Sequence, residues 1–252
     1  MQFKYIVLLF LKSIPTNKLG WPCLEKRRLY VTVRLWSGGS VGSSSCRVTA
    51  MSCGDGNPAA TPTPCEDVQG DGRWMSMHNR FVSDSKGKEP EVLFVGDSLV
   101  QLLHEFEVWR KLFSPLHTLN FGIGGDATQH VLWRLTNGEV DHICPKVVVL
   151  WVGTNNHGHT PEQICGGIMA IINVISQRLP QAHILVLGLL PRGKSPNPLR
   201  DRNARVNALV QVELASLSFA SFLDVDPGFV QPDGSISHQD LHDRTGLVQE
   251  EA

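Results

Sequence analysis

From residue 90 onward the chain alternates short apolar runs with longer amphipathic stretches. Residues 92–95, 118–121, 147–152, 183–189 and 219–224 are predicted strands, and several are continuously apolar, as strands buried on both faces are. Between them, residues 100–112, 128–135, 161–178 and 199–217 read as helices. Thr160 followed by Pro161 and Glu162 gives the third of these a good N-terminal cap. Upstream, Trp74, Met75, Met77, His78 and Phe81 recur at roughly helical spacing within residues 71–83. They predict a first helix whose apolar face packs on the domain. Strand–helix alternation on this scale predicts a doubly wound α/β fold with a five-stranded parallel sheet.

The chain before residue 90 has a different character. Residues 38–45 form a Gly/Ser run of flexible-linker composition, and Met51 opens a polar segment rich in Gly, Pro and Thr. Net charge over the 252 residues is −1, which offers no footprint for nucleic acid or an anionic membrane. That balance hides a splice: residues 1–50 hold eight Lys/Arg against the single acid Glu25, and the remainder is acidic. The expected organisation is a basic, poorly ordered extension over 1–50 and a polar N-terminal segment with a short helix over 51–85. The main α/β domain over 86–243 and a short tail over 244–252 follow. The apolar stretch 5–11 is far shorter than the roughly 20 residues of a spanning helix, so no membrane span is expected. Lys12 closes that stretch and no small-x-small cleavage site follows, so it is only a faint match to a signal peptide. Six cysteines without C-x-x-C pairs or regular spacing read as scattered thiols rather than a metal cage or disulfide framework.

In an open parallel sheet the ligand lies beyond the carboxyl ends of the strands. The first strand is followed by Gly96-Asp97-Ser98, which puts a serine at a strand-to-helix turn. The second is followed by Gly122-Ile123-Gly124-Gly125-Asp126, and the third by Gly153-Thr154-Asn155-Asn156-His157. Each alone reads as a turn. Together they supply a nucleophile and three donors for the oxygen of a tetrahedral acyl intermediate: the Ser98 amide, the Gly125 amide and the Asn155 carboxamide. A nucleotide-binding reading finds only a loose Gly122-x-Gly124-x-x-Ala127 match and no Walker motif.

With these motifs the sequence resembles the SGNH (GDSL-type) hydrolases. Within that family it is similar to the catalytic α subunits of cytosolic platelet-activating factor acetylhydrolase 1B. The matching stretches are 95–101, 119–126, 151–157, 187–193, 196–200 and 226–230, and the resemblance runs from Met51 to about Asp243. It implies a flavodoxin-like three-layer α/β/α domain that removes the sn-2 acetyl group of platelet-activating factor without metal or other cofactor. Ser98 would be the nucleophile, and Gly125 and Asn155 would complete the oxyanion hole. Leu99 and Thr154 would wall a small acyl pocket. It further implies a cytoplasmic homo- or heterodimer that binds a WD40-propeller regulatory subunit, with no nucleic-acid partner.

The family also places a base near the C-terminus as Asp-x-x-His. Here Asp243 matches the aspartate, but Gly246 stands where the histidine would be, and the closing helix of the family is missing. His238 and His242 are neighbours offset from the required position, and His157 and His159 read as loop residues. Two expectations follow: a serine esterase by lineage, or a catalytically impaired isoform that still dimerises and binds the regulatory subunit.

Overall fold

The computed structural model describes residues 56–107, 109–226 and 228–236. The extension over 1–50, the Gly/Ser run, Met51, His238, His242, Asp243, Gly246, the tail and the question of a closing helix all lie outside the described residues.

Five parallel strands form one sheet: β1 (Val92–Gly96), β2 (Leu119–Gly122), β3 (Val147–Trp151), β4 (His183–Leu187) and β5 (Ala220–Leu223), in the spatial order β2-β1-β3-β4-β5. Every residue of β1 and β3 is buried, because these central strands are covered on both faces by helices. The result is the three-layer α/β/α arrangement expected. The strand order reverses between β1 and β3, so the crevice beyond their carboxyl ends is the topological switch point where such sheets take ligands. Gly96 pairs with both Gly122 and Trp151, so three loops leave the sheet from one rung.

The helices are α1 (Arg73–Ser85), α2 (Ser98–Leu102), α3 (Thr128–Arg134), α4 (Pro161–Arg178) and α5 (Pro198–Leu214). The start of α4 carries the cap read from Thr160, and Gln163 makes it reciprocal. Its hydroxyl accepts the Gln163 N–H at 3.2 Å, and the Gln163 carboxamide accepts the Thr160 N–H at 2.9 Å. At α5, Asn197 accepts from the N–H groups of Leu199 and Arg200 ahead of Pro198 at the first helical position. The polar segment before α1 is docked, not loose. Asn57 donates to the Gln163 carbonyl at 2.9 Å, and the Thr128 hydroxyl donates to the Ala59 carbonyl at 2.8 Å.

One predicted helix is corrected. Residues 100–112 do not form a single element: α2 ends at Leu102, a 3₁₀ turn covers Leu103–Glu105, Phe106 is extended, and a π turn covers Trp109–Phe113. Leu103 and Trp109 are six residues apart, which on an ideal helix would separate them by about 120° around the axis. Both are buried, and Trp109 and Phe113 both pack edge-on against Phe94 at 5.3 and 5.0 Å. The chain turns extended at Phe106, and both flanking segments reach the core.

The crowding at the common rung is severe. A Cβ at Gly96 would lie 2.0 Å from the Trp151 carbonyl oxygen, a backbone atom with no room to retreat. Gly96→Ala is therefore expected to cost about 3 kcal/mol or more of stability. Urea midpoints of parent and variant measure this, and equal midpoints would show that β1 and β3 can separate here.

Candidate active site

Ser98 is the first residue of α2, and Asp97 is its cap, accepting the Leu99 N–H at 2.9 Å from a buried position. Short strand and short helix meet at this corner, which leaves the Ser98 side chain half-buried at the sheet edge. The loop after β2 closes over it. A Cβ at Gly124 would lie 3.8 Å from the Ser98 Cβ, and the Gly124 N–H donates to the Gln101 carboxamide on α2 at 2.7 Å. Gly125 follows at φ 85°, in the left-handed region that glycine enters without strain, and is exposed. Neither the Ser98 N–H nor the Gly125 N–H has an acceptor among the described residues.

The loop after β3 joins the other two through Asn155, whose Nδ2 donates to the Asp126 carbonyl at 3.1 Å. A carboxamide nitrogen carries two hydrogens, so one remains for a ligand. The three sequence-predicted donors are thus linked through neighbouring backbone. Leu99 is buried beside Ser98, and Thr154 precedes Asn155. The Thr154 carbonyl accepts from Arg192 at 3.2 Å and from Arg202 at 2.9 Å, which clamps this loop from the α5 side.

Several residues important to this geometry were not singled out by pattern alone. Asn156, read as part of a turn, is 1% exposed. Its Oδ1 accepts the Thr128 N–H at 3.1 Å, and its Nδ2 donates to the Thr128 hydroxyl at 2.8 Å and to Gln129 at 3.1 Å. His159 contacts the same Nδ2 at 3.1 Å, in keeping with a loop role. Beneath the loops runs a buried polar chain. Trp74 Nε1 donates to Asp126 at 2.7 Å, Arg134 donates to Asp126 at 2.8 Å and to Glu139 at 2.6 Å, and His78 pairs with Glu139 at 2.9 Å. Trp74 and His78 do pack as the apolar face of α1, but their polar tips serve this chain. Arg134, lying between Leu132 and Leu135 on a buried face, was the available signal. A cation in an apolar stripe needs a buried anion.

Burial pushes the Asp97 carboxyl up to about 7; its bond from the Leu99 N–H opposes this, and the negative charge of Asp126 adds to it. Burial also pushes Asp126 up to about 6, with Arg134 and the Trp74 donor pulling it back down. Cys65, Cys144 and Cys165 are free thiols, as expected of scattered cysteines. No three His, Cys, Asp or Glu side chains among the described residues gather as metal ligands. No described helix is long and apolar enough to cross a membrane.

The strand-end loops that carry Ser98, Gly125 and Asn155 come together at the switch point of a parallel sheet, an arrangement compatible with an acylhydrolase. Residues 94–245 match the GDSL-like lipase/acylhydrolase family, and the chain belongs to it. Within that family it groups with the platelet-activating factor acetylhydrolase IB alpha subunits. It is 69% identical to the alpha1 subunit of Bos taurus over 190 residues, spanning 75% of this chain and 82% of that one. It is 64% identical to the alpha2 subunit of Rattus norvegicus over 193 residues, spanning 77% and 84%. A GDSL-like lipase from Bacteroides thetaiotaomicron shares the fold at TM-score 0.50 and 13% identity, over 68% of this chain and 94% of that one.

The Asp97 carboxyl keeps its proton to about pH 7 when folded but releases it at the ordinary, lower carboxylate value when unfolded. The native state therefore binds more protons in that window, and stability falls as pH rises through it. Asp97→Asn keeps an acceptor for the Leu99 N–H and should flatten the fall, leaving only the smaller part due to Asp126. Denaturant midpoints between about pH 4 and pH 8 test this; an unchanged slope would remove Asp97 as the cause.

Proposed function

We propose that this chain carries acyl-ester hydrolase machinery of the platelet-activating factor acetylhydrolase type, directed at the sn-2 acetyl ester and yielding the lyso form and acetate. The observation that carries the reading is the meeting of Ser98, the Gly124–Gly125 turn and Asn155 at one sheet edge. Identity of 69% to a subunit named for that activity supports the substrate class.

In this mechanism the Ser98 oxygen attacks the acetyl carbonyl carbon. The carbonyl oxygen takes the electron pair and is held by the Ser98 N–H, the Gly125 N–H and the second hydrogen of Asn155. Leu99 and Thr154 bound the acyl methyl group. The intermediate collapses with release of the lyso alcohol, and water then frees acetate from the acyl-serine. A base must take the Ser98 proton and return it to the leaving group. The family aspartate is Asp243, but its histidine position is Gly246. That single substitution favours the second reading, a catalytically impaired isoform that dimerises with itself or a related subunit and binds a WD40-propeller regulatory subunit in the cytoplasm. In either case residues 86–243 form the hydrolase domain, with 51–85 as its N-terminal segment and 1–50 and 244–252 as appended ends.

Loss of the base in a serine triad costs up to about 10⁶ in kcat, while an intact oxyanion site still leaves about 10³ to 10⁴ over water. Acetate release from platelet-activating factor should therefore be low in the parent chain, raised at least about 10³-fold by Gly246→His, and abolished by Ser98→Ala in that background. Equal, Ser98-dependent turnover in the parent and in Gly246→His would mean that another histidine serves as base. No turnover in a folded Gly246→His sample would favour the second reading.

A further inference from the structure

Arg134 is fully buried in α3, and its guanidinium is bonded along directions that lead to all three oxyanion donors. Nη2 donates to the Gly96 carbonyl at 3.4 Å, two residues before Ser98, and to the Phe121 carbonyl at 3.1 Å, at the end of β2 before the Gly124–Gly125 turn. Nε donates to the Asp126 carboxylate at 2.8 Å. Asp126 follows Gly125 directly, and its own carbonyl accepts from Asn155 at 3.1 Å. Nη1 anchors the group from the far side on Glu139 at 2.6 Å.

A purely structural ion pair does not require this pattern. One carboxylate would answer the charge, whereas here the planar fork takes two carboxylates and also two strand-end carbonyls on adjacent strands. Lysine has a single rotatable ammonium and lacks the fork. We propose that Arg134 is a positioning residue for the oxyanion site, setting the spacing among the Ser98 amide, the Gly125 amide and the Asn155 carboxamide. The inference rests on the acyl-transfer reading given above for what those donors do, but not for where they are held.

The test uses the full chain with Arg134→Lys, and Asp126→Asn as a near-isosteric second variant that removes only the charged partner. Two measurements are made. The first is the ¹H–¹⁵N resonances of Ser98, Gly125 and the Asn155 carboxamide, with β4 and β5 amides as internal reference. The second is kcat and KM for acetyl-ester hydrolysis in the Gly246→His background. The three donor resonances should move while the reference amides hold. A misplaced donor set should lower kcat about 100-fold with KM little changed. Donor resonances that coincide with the parent's in a folded variant would overturn the proposal, as would a raised KM at unchanged kcat. Loss of folding in both variants would also overturn it, by assigning the network to stability alone. If the Gly246→His background hydrolyses nothing, the resonances still decide the matter, and the failure belongs to the acyl-transfer reading.

Discussion

The structure turns on one buried cation. Placing a guanidinium in the interior is unfavourable unless its donors are met, and a buried ion pair is often no more stable than an apolar pair of the same volume. Removing one partner is a different matter, costing about 3–5 kcal/mol, because the other is left charged and unmatched. Arg134 is met on every side, by Asp126, Glu139 and the carbonyls of Gly96 and Phe121. Asp126 is met in turn by Trp74, and Glu139 by His78. The chain of bonds therefore joins α1, β1, β2 and α3. It adds polar anchorage to a helix upstream of the first strand that also packs Phe81 on Phe121. Trp74 and His78 on α1 are the outer ends of a network whose centre lies under the site.

Much of the architecture was legible because burial on both faces leaves a plain trace. The runs that became β1 and β3 contain no polar residue to face water, and the structure buries every position in them. The Thr160 cap was legible for a similar reason, since orphan N–H groups at a helix start have few local solutions, although the reciprocal bond from Gln163 was not read. The stretch from Val100 to Phe113 was not, because apolar composition there is compatible with a helix while apolar phase is not. Leu103 and Trp109 both face the core, from segments on either side of the extended Phe106. Arg134 was illegible for another reason. Its partners, at positions 126 and 139, sit in a loop and in a distorted turn, where no helical or strand period connects them to it.

The candidate site shows the same division. Ser98, Gly125 and Asn155 could be singled out from sequence because each lies in the loop after a strand, and the topology of a parallel sheet delivers strand ends to one edge. Asn156, Arg192 and Arg202 could not, because their work is to hold loop backbone from behind and depends on tertiary approach. The proposed nucleophile and donors thus lie in three local strand-end turns, whereas the proposed base would come from a later segment. In that reading, Gly246 at the proposed base position would remove proton transfer without touching the part that would stabilise charge. This separability is why the chain can belong to a hydrolase family while two functional readings remain chemically coherent.

Electrostatics adds a constraint on that charge-stabilising half. An oxyanion forming beside Ser98 would be flanked by two buried carboxyl groups, Asp97 and Asp126, each close enough for Asp126 to push the Asp97 proton affinity upward. Two bare carboxylates would oppose the developing negative charge. The structure answers each one differently. Asp126 is paired with Arg134, which is shared with a second carboxylate, Glu139. Asp97 is answered by burial, which favours its neutral form up to about pH 7, while its carbonyl-type oxygen still caps Leu99. With Asp97 in its neutral form, the three proposed donors would face an oxygen that is neutral in the ester and charged only during reaction.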